Sequence, residues 1–130
     1  MNFDWEQLLD LAKELWEQAQ GAKGQKREAL LRSAASRAYY AAFNIAAEWL
    51  REHHPSHPLP ANADSHQAVA DFFVFHQEAE HRFIGERLGY MRQGRNQVDY
   101  RPRVPDSLKI ARRNLFDANR VLNALAGLDS

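Results

Sequence analysis

Apolar residues recur at spacings of three and four along nearly the whole chain, and no segment alternates apolar and polar residues as a half-buried strand does. That pattern confines the chain to the all-α class. Its densest stretch runs from about Gln25 to Glu52, where Leu30, Ala34, Ala38, Tyr39, Ala42, Ile45, Ala46 and Trp49 fall on the inward face of one long helix. Ala34, Ala35, Ala38, Ala41, Ala42, Ala46 and Ala47 favour that helix intrinsically, and their small side chains let a neighbouring helix approach closely.

The remaining helices follow from the same periodicity and from its interruptions. A first helix is predicted from about Phe3 to Gln20, capped by Asn2 or Asp4, with Leu8, Leu11, Ala12, Leu15, Trp16 and Ala19 as its stripe. Gly21 to Gly24 forms the turn into the long helix. Pro55, Pro58 and Pro60 make residues 53–63 a loop, since each removes a backbone donor and fixes its own φ. Asp64 or Ser65 caps a third helix carrying Val69, Phe72, Phe73, His76, Ala79 and Phe83. Gly85 either separates it from a fourth segment with Leu88, Met91 and Val98, or lies within one continuous bent helix. Pro102 and Pro105 enforce an end near Tyr100. The last helix begins at the Asp106-Ser107 cap and presents Leu108, Ala111, Leu115, Ala118, Leu122 and Leu125. The expected architecture is an antiparallel up-and-down bundle of four to five helices, a single domain over residues 1–130.

Several function classes are excluded by what the chain lacks. Without cysteine there is no disulfide framework, thiolate nucleophile or cysteine-based zinc site. The opening residues include Asp4, Glu6 and Asp10, which is unlike a signal peptide, and no apolar run approaches the ~20 residues of a membrane span. A cytoplasmic protein with no membrane partner is expected. Net charge is zero but uneven: residues 1–20 hold five acids and one lysine, whereas residues 82–120 hold ten Arg/Lys against four acids. Nine of those ten are arginine, the side chain suited to bidentate phosphate or carboxylate contacts. An anionic partner such as RNA is one reading, and a solvated helix face with local ion pairs is the other.

Candidate chemistry is sparse. His53, His54, His57 and His66 surround the proline loop, but no carboxylate or cysteine completes a recognised zinc spacing, so no metal site and no cofactor are expected. His66, opening the third helix, can contact a ligand through its imidazole, although a first-turn histidine is more often a local polar contact; His76 and His81 read as structural or exposed. No nucleophile, base and orienting acid assemble as a hydrolytic triad requires, and Gly85, Gly89 and Gly94 are too scattered for a phosphate-cradling loop. What remains is Arg37, Tyr40, Arg92, Arg95, Asn96, Asp99 and Tyr100. Arginines, an amide and tyrosines together can grip phosphate and stack on bases. The blander expectation is an Arg95–Asp99 intrahelical ion pair, with Tyr39 and Tyr40 as core or interface aromatics.

Three pieces of sequence carry a family resemblance: Ser36-Arg37-Ala38-Tyr39-Tyr40-Ala41-Ala42-Phe43, then Ser65-His66, then Arg95-Asn96-Gln97-Val98-Asp99-Tyr100. In order and spacing they resemble the HEPN family (the higher-eukaryote and prokaryote nucleotide-binding domain), in its small stand-alone prokaryotic branch, over roughly residues 5–126. The resemblance implies a helical bundle, a homodimer whose cleft joins two copies of an arginine motif, and RNA or a nucleotide as ligand. It also implies a toxin–antitoxin or phage-defence setting, often beside a small nucleotidyltransferase. Ribonucleases of the family carry arginine, a polar residue, and a histidine four to six residues beyond. Arg95 and Asn96 match the first half, but Tyr100 stands where the histidine belongs, and no histidine follows His81. A tyrosine with an ordinary pKa of about 10 is a poor base at neutral pH, and losing a general acid–base group typically costs ~10²–10⁴ in rate. The expectation is therefore a binding module in which Arg37, Tyr40, Arg92, Arg95 and Asn96 hold the ligand. Arg95 and Tyr100 are its nominal catalytic pair. The alternatives are a metal-independent endoribonuclease using Arg95 and a structural partner of a nucleotidyltransferase.

Overall fold

The computed structural model describes residues 2–62 and 64–128. It is an all-α bundle of five helices: α1 Glu6–Gln20, α2 Gly24–His53, α3 Asp64–Val74, α4 Ala79–Tyr100 and α5 Ser107–Ala126. Helix α2 is the axis of the bundle, packing against each of the other four. Its alanines explain how. All seven alanines from Ala34 to Ala47 are essentially without exposure, so backbones on several sides of α2 close directly onto it. Tyr39, Leu50, Phe73, Ile84, Met91 and Val121 fill the space between helices.

The helix ends show which local signals operate. Asp106 caps α5 as expected, its carboxylate accepting from the Lys109 N–H at 3.0 Å. Asp4 accepts from the Glu6 N–H at 3.0 Å, one residue ahead of the N-cap Trp5. At the start of α3, Asn62 Oδ1 accepts from the Asp64 N–H at 3.0 Å, and among the described residues no backbone N–H donates to the Asp64 or Ser65 side chain. Gly24 has a φ of 61°, the left-handed region a glycine reaches without strain, and this turns the chain from α1 into α2. On α1 the buried stripe runs through Leu9, Ala12 and Ala19, and Leu11 faces outward.

Gly85 does not break a helix. The interruption falls at residues 75–78, and Gly85 lies inside α4. A Cβ there would sit 2.5 Å from the Val74 backbone nitrogen and 2.9 Å from the Ala70 carbonyl oxygen, so glycine is what allows α4 to cross against the end of α3. His76 and Ala79 consequently belong to the turn and to α4, not to a longer third helix.

Polar groups fix the far end of α4. Arg32 on α2 donates to the carbonyl oxygens of Val98 at 3.1 Å, Arg101 at 2.6 Å and Pro102 at 3.2 Å, satisfying acceptors that a helix C-terminus leaves open. Glu28 holds the Arg32 Nε at 2.7 Å and accepts from Ser107 Oγ at 2.6 Å, tying the start of α5 to the same point. Buried Asn114 donates to the carbonyls of Ala35 and Met91, linking α5 to α2 and α4. The consequence is that α2 and α4 hold a set register where Tyr39, Tyr40, Arg92 and Arg95 face one another.

Candidate functional site

A cavity of about 350 Å³ opens between α2, α3 and α4. Tyr39 and Phe43 come from α2, His66, Gln67 and Ala70 from α3, and Leu88, Gly89, Arg92, Gln93 and Asn96 from α4. The α4 contribution follows helical geometry, because residues 89, 92, 93 and 96 lie on one face at spacings of three and four. Gly89 leaves that face open: nothing lies within 4 Å of where its Cβ would be.

His66 is central to this wall. Its ring stacks on Phe43 at 4.1 Å between centroids and lies nearly parallel to Tyr39 at 5.6 Å. The Tyr39 hydroxyl is 2.5 Å from His66 Nδ1. Tyr39 is buried, and its hydroxyl has no other protein acceptor among the described residues, so the pair is assigned with the hydroxyl donating and Nδ1 accepting. The imidazole proton therefore resides on Nε2. Burial pushes the Tyr39 hydroxyl pKa well up, against the opposing pull of the Arg92 and Arg95 cations, which keeps it a donor. Burial, and then the same two guanidiniums, push His66 below its ordinary 6.5, so the ring is neutral at neutral pH. Of the two readings of His66, its place in the cavity wall fits a ligand-contacting ring and not a local contact at the helix start.

Arg95 lies behind the aromatic wall and is not among the residues lining the cavity. It is only 6% exposed, donates to the Tyr40 hydroxyl at 2.7 Å, and lies over the Tyr40 and Tyr39 rings at 5.2 and 5.4 Å. The expected ion pair to Asp99 does not form. Asp99 instead accepts from Ser36 Oγ at 3.1 Å, and no carboxylate pairs with Arg95 or Arg92 among the described residues. The Nε of each is buried without a partner. Removing an ion from water carries a penalty of several kcal/mol unless something compensates it. Tyrosine faces and one hydroxyl compensate part of that for Arg95, and the surplus positive potential falls on the cavity beside it.

The other expected residues divide. Arg92 and Asn96 line the cavity, and Tyr40 reaches it indirectly, through Arg95 and an edge-on contact with the His66 ring at 6.0 Å. Tyr100 is 72% exposed, near the guanidinium of Arg95 (5.8 Å to its ring) but outside the cavity, because it occupies the last position of α4 where the helix has already passed the wall. Arg37 is exposed and has no hydrogen-bond or ion-pair partner among the described residues. The basic stretch also divides. Arg87 and Arg120 lie 3.8 and 3.7 Å from buried Asp117, and Arg82 donates to the carbonyls of His76 and Gln77, so these cations serve the fold.

Sequence reasoning missed Gln67, Gly89 and Gln93. A signal was present: a glycine and three polar side chains at positions 89, 92, 93 and 96 make a polar stripe on a helix whose Leu88, Met91 and Val98 are core. Elsewhere, His76, Glu78 and His81 bring one potential ligand atom each to within 4.8 Å of one another. His81 is buried, which fits the structural of its two readings. No described helix is long and apolar enough to cross a membrane. Comparison of the chain with family models, with curated proteins and with solved structures finds no match.

Proposed function

We propose that this chain is a HEPN-like module that binds a phosphate-bearing ligand, RNA or a nucleotide, in the cavity between α2, α3 and α4, with weak or no cleavage activity. One observation carries the reading: two guanidiniums a single helical turn apart, Arg92 lining the cavity and Arg95 buried behind it, have no carboxylate to neutralise them among the described residues. A phosphoryl group supplies the missing charge, and Arg92, Asn96 and Gln93 offer it donors. Phe43 and His66, stacked on each other, give the cavity an aromatic wall beside those donors against which a base can pack. In this arrangement Arg95 is a positioning residue, holding Tyr40 and adding positive potential, and Arg92 makes the direct contact.

Weak catalysis follows from the available proton-transfer groups. Tyr100 lies outside the cavity, and the Nδ1 lone pair of His66 is taken by the Tyr39 hydroxyl. In that state the nitrogen away from Tyr39 carries a proton and donates to a phosphate oxygen. Because the ring takes up a second proton only below the ordinary 6.5, it is a poor base for a 2′-hydroxyl at neutral pH. The proposal includes a homodimer, which sedimentation tests, and a cytoplasmic setting; docking on a small nucleotidyltransferase is the alternative, which co-purification tests.

The decisive experiment measures binding of total tRNA and of adenosine monophosphate, together with cleavage of the RNA in chelator. Expected are salt-sensitive binding, at least a tenfold loss in Arg92→Ala with a salt slope shallower by about one, and no cleavage. Metal-independent cleavage that disappears in Arg95→Ala replaces this reading with a ribonuclease. Failure to bind either ligand at low salt leaves docking on a nucleotidyltransferase as the function.

A further inference from the structure

We propose that His76, Glu78 and His81 form a binding site for a divalent transition metal of the zinc class, at the turn between α3 and α4. The three residues follow the spacing His-x-Glu-x-x-His: His76 lies in the turn, Glu78 is the N-cap of α4, and His81 is in its first turn. One ligand atom from each lies within 4.8 Å of the other two. Two imidazoles and a carboxylate suit zinc, cobalt or nickel, whereas magnesium and calcium take oxygen ligands. Three protein ligands leave a fourth tetrahedral position for water.

The independent observation is His81 itself. It is 3% exposed, and its Nδ1 is buried with no hydrogen-bond partner, facing a Glu78 carboxylate oxygen 3.4 Å away. Leaving a buried polar atom unsatisfied is costly, and such atoms are uncommon in folded proteins. A cation between Nδ1 and the carboxylate satisfies both. Trp49 meets the His81 ring edge-on at 5.8 Å and Phe73 lies nearly parallel at 6.0 Å, so this ligand is held in place before any metal arrives.

His76 is the ligand that must move. Its ring lies parallel to that of His81, 3.7 Å away between centroids, and two stacked imidazoles do not aim their lone pairs at one point. Its Nδ1 also accepts from the Glu78 N–H at 3.1 Å. Coordination through either ring nitrogen ends that bond: a metal on Nδ1 uses the lone pair, and a metal on Nε2 shifts the proton to Nδ1. The bond is solvent-exposed, so the freed N–H turns to water. His76 belongs to a turn and not to a helix, which makes the required ring rotation local.

His81 precedes Arg92 by eleven residues, about 16 Å along a helix. The metal site is therefore separate from the α2–α3–α4 cavity and takes no part in its chemistry. Its effect is mechanical: it clips the turn to the start of α4, the helix that carries Arg92 and Arg95.

The test uses the full chain, stripped with chelator and titrated with zinc, and with cobalt for its ligand-field absorption. One metal per chain is expected, with an imidazole-type tetrahedral or five-coordinate cobalt spectrum and no competition from excess magnesium. His76→Ala and Glu78→Gln, both at accessible positions, should each weaken binding at least tenfold with an unchanged circular dichroism spectrum. His57→Ala, in the proline loop, should leave affinity unchanged. Absence of saturable one-to-one binding overturns the proposal. So does binding that survives both His76→Ala and Glu78→Gln, since loop histidines would then be the ligands.

Discussion

Gly89 offers a way to separate ligand binding from folding, because it sits mid-helix yet faces empty space. A Cβ at this position meets nothing within 4 Å, while the residue itself lines the α2–α3–α4 cavity. Glycine in a helix interior is less favourable than alanine by ~0.8–1.0 kcal/mol. With no clash to subtract, Gly89→Ala should gain most of that amount, a rise in Tm of about 3–5 °C for a domain of this size. Gly89→Leu should be at least as stable as the parent, since leucine is nearly as good a helix former as alanine and its Cβ meets nothing within 4 Å. That same side chain occupies space the ligand needs. Binding of adenosine monophosphate or tRNA should fall at least tenfold, about 1.4 kcal/mol, measured by calorimetry beside a thermal melt. A stabilised Gly89→Leu that binds with parental affinity refutes the cavity as the site. A destabilised one refutes the open space from which the prediction was worked.

Gly85→Ala, four residues earlier on the same helix, should have the opposite sign: its Cβ meets Val74 backbone at 2.5 Å, and overpacking of ~1–3 kcal/mol outweighs the propensity gain, lowering Tm in the same melt. The His66 ring should titrate below 6.5 by NMR in the free protein and shift upward when phosphate binds beside it, so phosphate should bind more tightly as pH falls towards that pKa. Because the folded value lies below the ordinary 6.5, the unfolded chain takes up this proton first as pH drops. Stability present above 6.5 is then lost down to the lower folded pKa, and His66→Asn should flatten that part of the stability–pH curve.

Much of the bundle was legible because its signals are local. The α2 alanines, the Asp106 cap and the Pro102–Pro105 stop each act within a few residues, and each does in the structure what its chemistry dictates. The α3–α4 break was not legible for the opposite reason. Gly85 has the composition of a breaker, yet its role is set by Val74 and Ala70, which reach it only after α3 has folded back on α4. Arg95 and Asp99 have the spacing of an ion pair, but each finds a better partner on α2, Tyr40 for one and Ser36 for the other.

The candidate site divides along the same line. Sequence alone determined a helical bundle, an arginine-rich fourth helix with Arg92, Arg95 and Asn96 on it, and the absence of any histidine after His81. Tertiary structure decided which of these groups meet. It placed Arg92 at the cavity and Arg95 behind it, moved Tyr100 outside, and brought His66 from α3 onto Tyr39 of α2. The physical reason is that helix periodicity fixes only which residues share a face. Burial, desolvation and charge depend on what a neighbouring helix sets against that face, and no local pattern in the chain specifies that.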